Sequence, residues 1–383
     1  MSAAPKTSPW PNILVSGGHI TPALATIEYL REEYPEISLS FVGRKFTQEK
    51  ERQPAKEQEL MTELGIPFFA ASAAKFHRAH WWRNAEEGIR FVPSLYRAYR
   101  ILQDNDIDLF LSFGGYLAVP FAIMAKLTGK KVVTHEQTKT TGLANQFISW
   151  IADTVAISHE ASRKHFPKQK IVLTGNPIRR SLLQTVRSRP AWIPESKKPI
   201  LYVTGGSQGS QTINNTVSQI LPELTSKFLV IHQCGQSQHH RYMSQLQAVA
   251  DELTEAQREN YVIREWVEEK EVSWILQNAV LAISRSGANT TLEMSIQALP
   301  AIFIPLPFSH NNEQYKNAQQ LVEAGAALLL EQKDLNDESL WEAVQEASAQ
   351  RAHMKRRAEK LRDTLQTNGA ELLAEACISL LRS

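Results

Sequence analysis

Short apolar, β-branched runs alternate with helix-length amphipathic segments, and the alternation occurs twice along the 383 residues. In the first half, Asn12–Ser16, Ser38–Val42, Leu109–Ser112, Lys131–His135 and Thr154–Ile157 read as strands. Helices such as Pro22–Glu33 and Val119–Thr128 fall between them. In the second half the strands read as Ile200–Thr204, Phe228–Gln233, Tyr261–Arg264, Leu281–Ser284, Ala301–Ile304 and Ala327–Leu330. This βαβα rhythm implies parallel sheets with helices on both faces, and its repetition predicts an α/β chain of two doubly wound, Rossmann-like domains. The seam falls near Gly175–Arg180. A strand at Ile171–Leu173 precedes it, and the polar, Pro-containing stretch Ser188–Pro199 leads into the second set. Ligands of open α/β sheets bind at the carboxyl ends of the strands. Two such ends facing each other would form a cleft, so the loops after the strands are where chemistry is expected.

Composition removes some classes. Lys plus Arg is 42 against 40 for Asp plus Glu, too even for a general nucleic-acid binder. Cys234 and Cys377 are far apart and lack metal-ligand partners at short spacing, which reads as two buried small hydrophobes in a reducing compartment. Met1 to Pro11 does not read as a signal peptide, and no stretch approaches the ~18–20 apolar residues of a membrane span. A cytoplasmic protein with peripheral membrane contact at most is expected.

The glycines cluster after the predicted strands. Ser16-Gly17-Gly18-His19 lies between the first strand and the first helix, where a backbone free of Cβ and a helix N-terminus suit a phosphate. A tight βα turn demands glycine as well; His19 tips the reading toward a base or phosphate donor. Thr204-Gly205-Gly206-Ser207-Gln208-Gly209-Ser210 is a second such turn. It is neither a Walker loop nor a Gly-x-Gly-x-x-Gly fingerprint, and its successive amides and the Ser207 hydroxyl suit a diphosphate.

Ser284-Arg285-Ser286-Gly287-Ala288-Asn289-Thr290-Thr291-Leu292-Glu293 runs from strand end into helix. Glu293 reads either as a first-turn carboxylate serving the helix end or as a clamp on ribose hydroxyls. His310 to Asn317 is a row of amide and acid side chains suited to sugar hydroxyls or, equally, to a solvated helix. Gly114-Gly115-Tyr116 and His135-Glu136-Gln137 also close strands, and His135 alone reads as a satisfied structural histidine. Lys75 to Arg83 sets Trp81, Trp82 and Arg83 among cations, either at a lipid headgroup boundary or as one core tryptophan in a solvated stretch. The highly charged Arg44–Gln58 segment reads as a solvated helix or loop.

In chain order, Gly-Gly-His, Gly-Gly-Tyr, His-Glu-Gln, Gly-Asn-Pro-x-Arg, Gly-Gly-Ser-Gln-Gly, Arg-Ser-Gly-Ala and Gln-x-x-Asn-Ala run from Gly17 to Ala318. This ordered set resembles the MurG family, the UDP-N-acetylglucosamine:undecaprenyl-diphospho-muramoylpentapeptide N-acetylglucosaminyltransferases. The resemblance implies two Rossmann-like domains of the GT-B glycosyltransferase type. Residues 1–178 would form an acceptor and membrane-facing domain, and 179–364 a UDP-sugar domain. A C-terminal helix within 365–383 would return to the first. It also implies an inverting transfer of N-acetylglucosamine to lipid-linked muramoyl-pentapeptide, peripheral to the cytoplasmic face of the plasma membrane and attracted to its anionic surface.

Carried over by motif, Gly206, Ser207 and Gln208 hold the UDP phosphates with Arg179. Ala288, Asn289, Thr290, Thr291, Leu292 and Glu293 line the nucleotide, the backbone of Val267 meets the uracil edge, and Gln314 and Asn317 read the sugar. Ser16, Gly17, Gly18 and His19 lie near the acceptor diphosphate and donor sugar, Thr138 near the donor sugar. Tyr116, Trp81, Trp82 and Arg83 serve the acceptor and membrane.

Three departures stand out. The first loop lacks the leading glycine pair of Gly-Gly-Thr-Gly-Gly-His, Thr138 replaces an asparagine, and Glu313 adds a carboxylate beside the sugar pocket. In the implied displacement His19 is the first choice of general base and Glu136 the second, with the amides of Gly206–Gly209 and Arg179 receiving the leaving diphosphate. No Asp-x-Asp motif suggests a metal, and no cofactor is expected. The rival readings are a nucleotide-sugar epimerase and a non-catalytic nucleotide-sugar or lipid binder. A nicotinamide oxidoreductase is disfavoured by the absence of Gly-x-Gly-x-x-Gly.

Overall fold

The computed structural model describes residues 10–18, 20–44, 56–71, 81–138, 141–206, 208–236, 241–309 and 312–382, with the backbone alone at 56 and 81–90. His19 and Ser207 lie outside the described residues. So do 45–55 of the charged segment, 75–80 of the tryptophan motif with the side chains of Trp81, Trp82 and Arg83, and His310 and Asn311. The chain divides into two compact units, Met1–Arg180 with Gln366–Ser383, and Ser181–Leu365.

In the first unit the strands are β1 (Asn12–Ser16), β2 (Ser38–Gly43), β3 (Phe68–Ala70), β4 (Leu109–Ser112), β5 (Lys131–Glu136), β6 (Thr154–Ile157) and β7 (Ile171–Leu173). They form one sheet in the order β3-β2-β1-β4-β5-β6-β7, every neighbouring pair parallel. Alternate residues of β1 supply opposite faces, as strand geometry requires. Ile13 and Val15 pack with Leu24, Ile27, Leu373 and Cys377, whereas Leu14 joins Leu102, Phe110 and Phe121. Both faces are therefore dry, which is why these strands read as unbroken apolar runs.

Helix Ile20–Glu33 starts right after the first glycine turn. Pro22 sits in its first turn, where its missing N–H is not needed, and Leu24, Ile27 and Leu30 are buried. Helix Gly369–Arg382 packs on it through Leu373, Ala374 and Cys377. Leu373 is fully buried there, and truncation to alanine would cost about 2–5 kcal/mol. Some elements leave little mark in the sequence. The strand β3 is three residues long, too short to show a period. Helix Trp81–Asp104 carries Pro93 inside it, which interrupts a helical pattern.

The second unit contains β8 (Ile200–Thr204), β9 (Leu229–Gln233), β10 (Tyr261–Arg264), β11 (Ala279–Ser284), β12 (Ala301–Phe303) and β13 (Ala327–Leu329). Their order is β10-β9-β8-β11-β12-β13, again all parallel. Leu201 and Val203 lead one core cluster with Ile213, Val217 and Leu246. In both sheets the winding reverses beside the first strand, between β1 and β4 and between β8 and β11. Adjacent loops diverge at such a switch point and leave a crevice at the carboxyl ends. Each unit's glycine-rich turn follows the strand that borders it.

Candidate active site

Register brings the first unit's turns into line. Ser16 is level with Val42 and Ser112, and Ser112 with Thr134. The next residues, Gly17, Phe113 and His135, are therefore neighbours at the carboxyl ends. Gly18 passes against the Phe113–Gly114 peptide so closely that a Cβ there would stand 2.6 Å from the Phe113 carbonyl oxygen. Gly114 and Gly115 have φ of +80° and +81°, where glycine carries no Cβ penalty. The Ser16 hydroxyl is buried with no hydrogen-bond partner among the described residues. An orphaned buried hydroxyl at this end suits a ligand that arrives from outside. Arg44 lies over the Tyr116 ring at 5.2 Å, within cation–π range. The Glu57 carboxyl, next to where side chains on Gly17 and Gly43 would stand, is pushed above its usual pKa by burial.

In the His-Glu-Gln segment, Glu136 is held by neighbouring donors. Its carboxylate is 3% exposed. One oxygen accepts from the Thr138 amide (3.0 Å) and hydroxyl (2.7 Å), the other from Asn145 Nδ2 (3.0 Å). A carboxylate enclosed by three donors braces its loop. In this structure both Glu136 oxygens are engaged in this way and the Thr138 hydroxyl is bonded to Glu136. Asn145, absent from the sequence reading, also donates to the His135 carbonyl and accepts from Thr134 Oγ1. Its one signal was a polar residue on the buried stripe of helix Leu143–Ile151, beside Ile148 and Ser149. His135 is 1% exposed, with Nε2 near the Gly175 carbonyl (3.2 Å) and Ser158 Oγ (3.1 Å). Arg179 is buried in this same unit.

In the second unit the Gly205–Gly209 turn is braced from within. The Gly206 amide donates to Thr204 Oγ1 (3.0 Å) and the Gly209 amide to the Gly206 carbonyl (3.0 Å). Two of the amides from Gly206 to Gly209 thus shape the turn. Across the switch point, buried Arg285 donates to the Ile304 and Pro305 carbonyls (2.9 and 3.1 Å), to Ser210 Oγ (2.8 Å) and to Gln332 Oε1 (2.6 Å). Ser210 caps helix Gln211–Gln219, so Arg285 ties that helix's start to the far side of the crevice. Burial holds the Arg285 pKa below the ordinary arginine value. This tie is invisible in the Arg-Ser-Gly-Ala motif, because its partners lie 75 and 47 residues away in the chain.

Glu293 is not in the first turn of helix Ala288–Ile296. The N-cap is Gly287 and no acidic residue occupies that turn, so the helix-end reading falls and Glu293 stands half-buried a turn further on. Ala288, Asn289 and Thr290 open the helix. Asn289 Oδ1 is buried and has no partner among the described residues, Thr291 bonds back to the Gly287 and Ala288 carbonyls, and Leu292 is half-buried. Gln314 and Asn317 are stitched to the β11 turn. Ser286 Oγ donates to the Gln314 carbonyl (2.8 Å), and Asn317 Nδ2 donates to the Ser286 carbonyl (3.2 Å). Gln314 Oε1 accepts from the Leu306 amide. Val267 has a buried side chain, so only its backbone can meet a base.

Comparison with known proteins agrees with this arrangement. The glycosyltransferase family 28 N-terminal domain matches residues 16–157, and the glycosyltransferase family 28 C-terminal domain matches 200–375. The UDP-N-acetylglucosamine–N-acetylmuramyl-(pentapeptide) pyrophosphoryl-undecaprenol N-acetylglucosamine transferase of Exiguobacterium sibiricum is 31% identical over 88% of this chain and 90% of its own length. Among solved structures, Acinetobacter baumannii MurG superposes with a TM-score of 0.67 at 23% identity, covering 97% of this chain and 100% of that one. A putative UDP-N-acetylglucosamine 2-epimerase from Listeria monocytogenes shares the fold (TM-score 0.65, 13% identity, 98% and 96% coverage). From the two switch-point turns, the matched domains and the extent of the sequence identity, the chain belongs to glycosyltransferase family 28 and, within it, to the MurG family.

Proposed function

We propose that the chain is an inverting glycosyltransferase that moves N-acetylglucosamine from UDP-N-acetylglucosamine to lipid-linked muramoyl-pentapeptide in peptidoglycan synthesis. The observation that carries the reading lies in the second unit. A glycine turn and the start of helix Ala288–Ile296 follow the two strands that flank one switch point. Ser207, Gln208 and the helix start receive the diphosphate, Glu293 the ribose, the Val267 backbone the uracil, and Gln314 and Asn317 the sugar. The first unit supplies the acceptor side through Ser16, Gly17, Gly18 and Tyr116. His19 removes the proton of the attacking hydroxyl as the anomeric carbon–oxygen bond to UDP breaks. Glu136 and Asn145 hold the neighbouring loop, and base catalysis of this kind is worth ~10²–10⁴-fold. Arg179 completes the charge that UDP needs as it leaves.

The acceptor's lipid supports a membrane-facing surface on the first unit. No helix among the described residues is long and apolar enough to cross a membrane. Leu143, Phe147 and Trp150 are exposed along helix Leu143–Ile151, at the spacing of one helical face. Lys170 holds the Trp150 carbonyl at 2.8 Å, which brings a cation to the apolar stripe. Such a face suits the anionic headgroup region.

The test is direct. Pure protein is given radiolabelled UDP-N-acetylglucosamine with and without lipid-linked muramoyl acceptor, and the products are separated. Label in the lipid fraction only with acceptor is expected. Conversion of the free nucleotide sugar without acceptor would make the chain an epimerase.

A further inference from the structure

Three uncharged side chains form a line through the interior of the second unit: Tyr261 on β10, His232 on β9 and Asn214 on helix Gln211–Gln219. The Tyr261 hydroxyl is 2.9 Å from His232 Nδ1, His232 Nε2 is 3.0 Å from Asn214 Oδ1, and Asn214 Nδ2 is 3.0 Å from the Cys234 carbonyl oxygen. His232 is wholly buried, and Tyr261 and Asn214 nearly so. One assignment of protons satisfies all three contacts. A carbonyl only accepts, so the amide end facing Cys234 is NH2 and Oδ1 faces the imidazole. Nε2 therefore carries the ring proton, Nδ1 accepts, and the tyrosine hydroxyl donates. The donors all point the same way, toward the Cys234 carbonyl. Burial keeps His232 neutral, with its pKa pushed down to about 3.

That carbonyl forms a wall of the Gly205–Gly209 turn. A Cβ on Gly209 would run into the Cys234 carbonyl oxygen, and one on Gly235 into the Gly209 backbone. With φ of +73° and +89°, both residues need glycine for conformation as well as for space. Where the Cys234–Gly235 turn sits thus determines where Gly209 sits. The Gly209 amide in turn fixes Gly206. Apolar side chains of the same shape would fill this interior at similar stability, so packing alone does not account for a three-member polar line ending on one carbonyl.

We propose that Asn214, His232 and Tyr261 are positioning residues for the donor diphosphate, holding the Cys234 carbonyl and through it the Gly205–Gly209 turn in the shape that receives the phosphates. The proposal rests on the reading of that turn as the diphosphate site, and the experiment separates the two. The full chain is titrated calorimetrically with UDP and with uridine, and the ratio of the two affinities is the readout, because a loose turn weakens only phosphate contacts. Asn214→Ala cuts the link to Cys234. Tyr261→Phe removes the first donor while keeping the shape, and it serves if Asn214→Ala does not fold. Val217→Ala truncates a buried neighbour on the same helix and leaves every donor and acceptor of the line in place, and Ser207→Ala probes the turn itself.

The ratio is expected to fall about tenfold in Asn214→Ala, roughly two- to threefold in Tyr261→Phe, and not at all in Val217→Ala at a similar loss of melting temperature. An unchanged ratio in both Asn214→Ala and Tyr261→Phe, with a lowered one in Ser207→Ala, would overturn the positioning role and leave the diphosphate site standing. A Val217→Ala effect as large as that of Asn214→Ala would reduce the line to ordinary core and also overturn it. If Ser207→Ala too leaves the ratio intact, the diphosphate binds elsewhere and both readings fall.

Discussion

Gly18 lies against Gly114: a methyl group on Gly18 would stand 2.5 Å from the Gly114 carbonyl oxygen. Backbone on both sides leaves no flexible end to yield, so Gly18→Ala must push the two switch-point turns apart, at about 1–3 kcal/mol. Melting temperature should drop and turnover should fall by roughly tenfold or more, because the acceptor-side turns move together. UDP affinity should stay within about twofold, since the proposed uridine and diphosphate contacts of Ser207, Glu293 and Val267 belong to the other unit. Gly129→Ala is the control. Gly129 has φ of +74° with nothing within 4 Å, so it should show only conformational strain of about 1–2 kcal/mol and near-normal turnover.

Glu136→Gln separates bracing from base catalysis. A buried carboxylate that accepts from the Thr138 amide and hydroxyl and from Asn145 loses one acceptor when it becomes an amide. Its new NH2 then meets a donor. Stability should fall by about 1–3 kcal/mol and turnover in proportion, while the pH profile of kcat keeps its acidic limb. Loss of that limb would make Glu136 the base. His19→Ala should lower turnover well over tenfold with UDP binding intact.

The strands could be read because both sheets are buried on two faces, so runs such as Ile13-Leu14-Val15 and Leu201-Tyr202-Val203 are apolar without interruption. The glycine turns were visible for a related reason: close backbone approach at a switch point excludes Cβ, and adjacent glycines leave a mark in the sequence. What those turns bond to was not visible. The Gly206 amide is claimed by Thr204 two residues before it and the Glu136 carboxylate by Asn145 of the following helix, pairings that depend on loop conformation more than on residue type. Arg285 reaching Ser210 and Gln332 is decided by how the chain returns in space. The helix placement of Glu293 turned on a single boundary, set by Gly287 as N-cap.

Glu293→Ala should raise the KM for UDP-N-acetylglucosamine about tenfold or more with a smaller change in kcat, as expected for a group that binds the nucleotide in ground and transition states alike. The sharper measurement uses UDP and its 2′-deoxy analogue. The parent should prefer the ribose form, and the variant should bind the two equally. Equal preference in parent and variant would take Glu293 off the ribose.

The exposed Leu143, Phe147 and Trp150 stripe predicts membrane affinity that depends on apolar contact as well as charge. In sedimentation with vesicles containing phosphatidylglycerol, Phe147→Ser with Trp150→Ser should weaken binding about tenfold or more. Raising the salt should weaken the parent further by screening Lys170 beside the stripe. Transfer to a short-chain, water-soluble acceptor should be untouched by the same pair. Vesicle binding equal to that of the parent would place the lipid-facing surface elsewhere on the chain.

Acid should unfold the second unit through His232. Unfolded, its imidazole has a pKa of about 6.5; folded and wholly buried, about 3. Between those values the unfolded chain binds a proton that the folded one does not, so stability rises with pH. The contribution is fully present above about pH 6.5 and is lost as pH falls toward 3, at up to about 1.4 kcal/mol per pH unit. Replacing the ring by a non-titrating amide, His232→Gln, should lower stability at pH 7.5, where the line through Asn214 and Tyr261 is intact in the parent. It should also flatten the slope of unfolding free energy between pH 6 and 4 by about one proton. Urea melts at half-unit steps of pH read both effects. A parent and variant with parallel slopes would mean that His232 is already charged in the folded state. In that case the Tyr261–His232 bond alone would turn round, with Nδ1–H donating to the tyrosine oxygen, and the bonds from Nε2 through Asn214 to the Cys234 carbonyl would stay as they are.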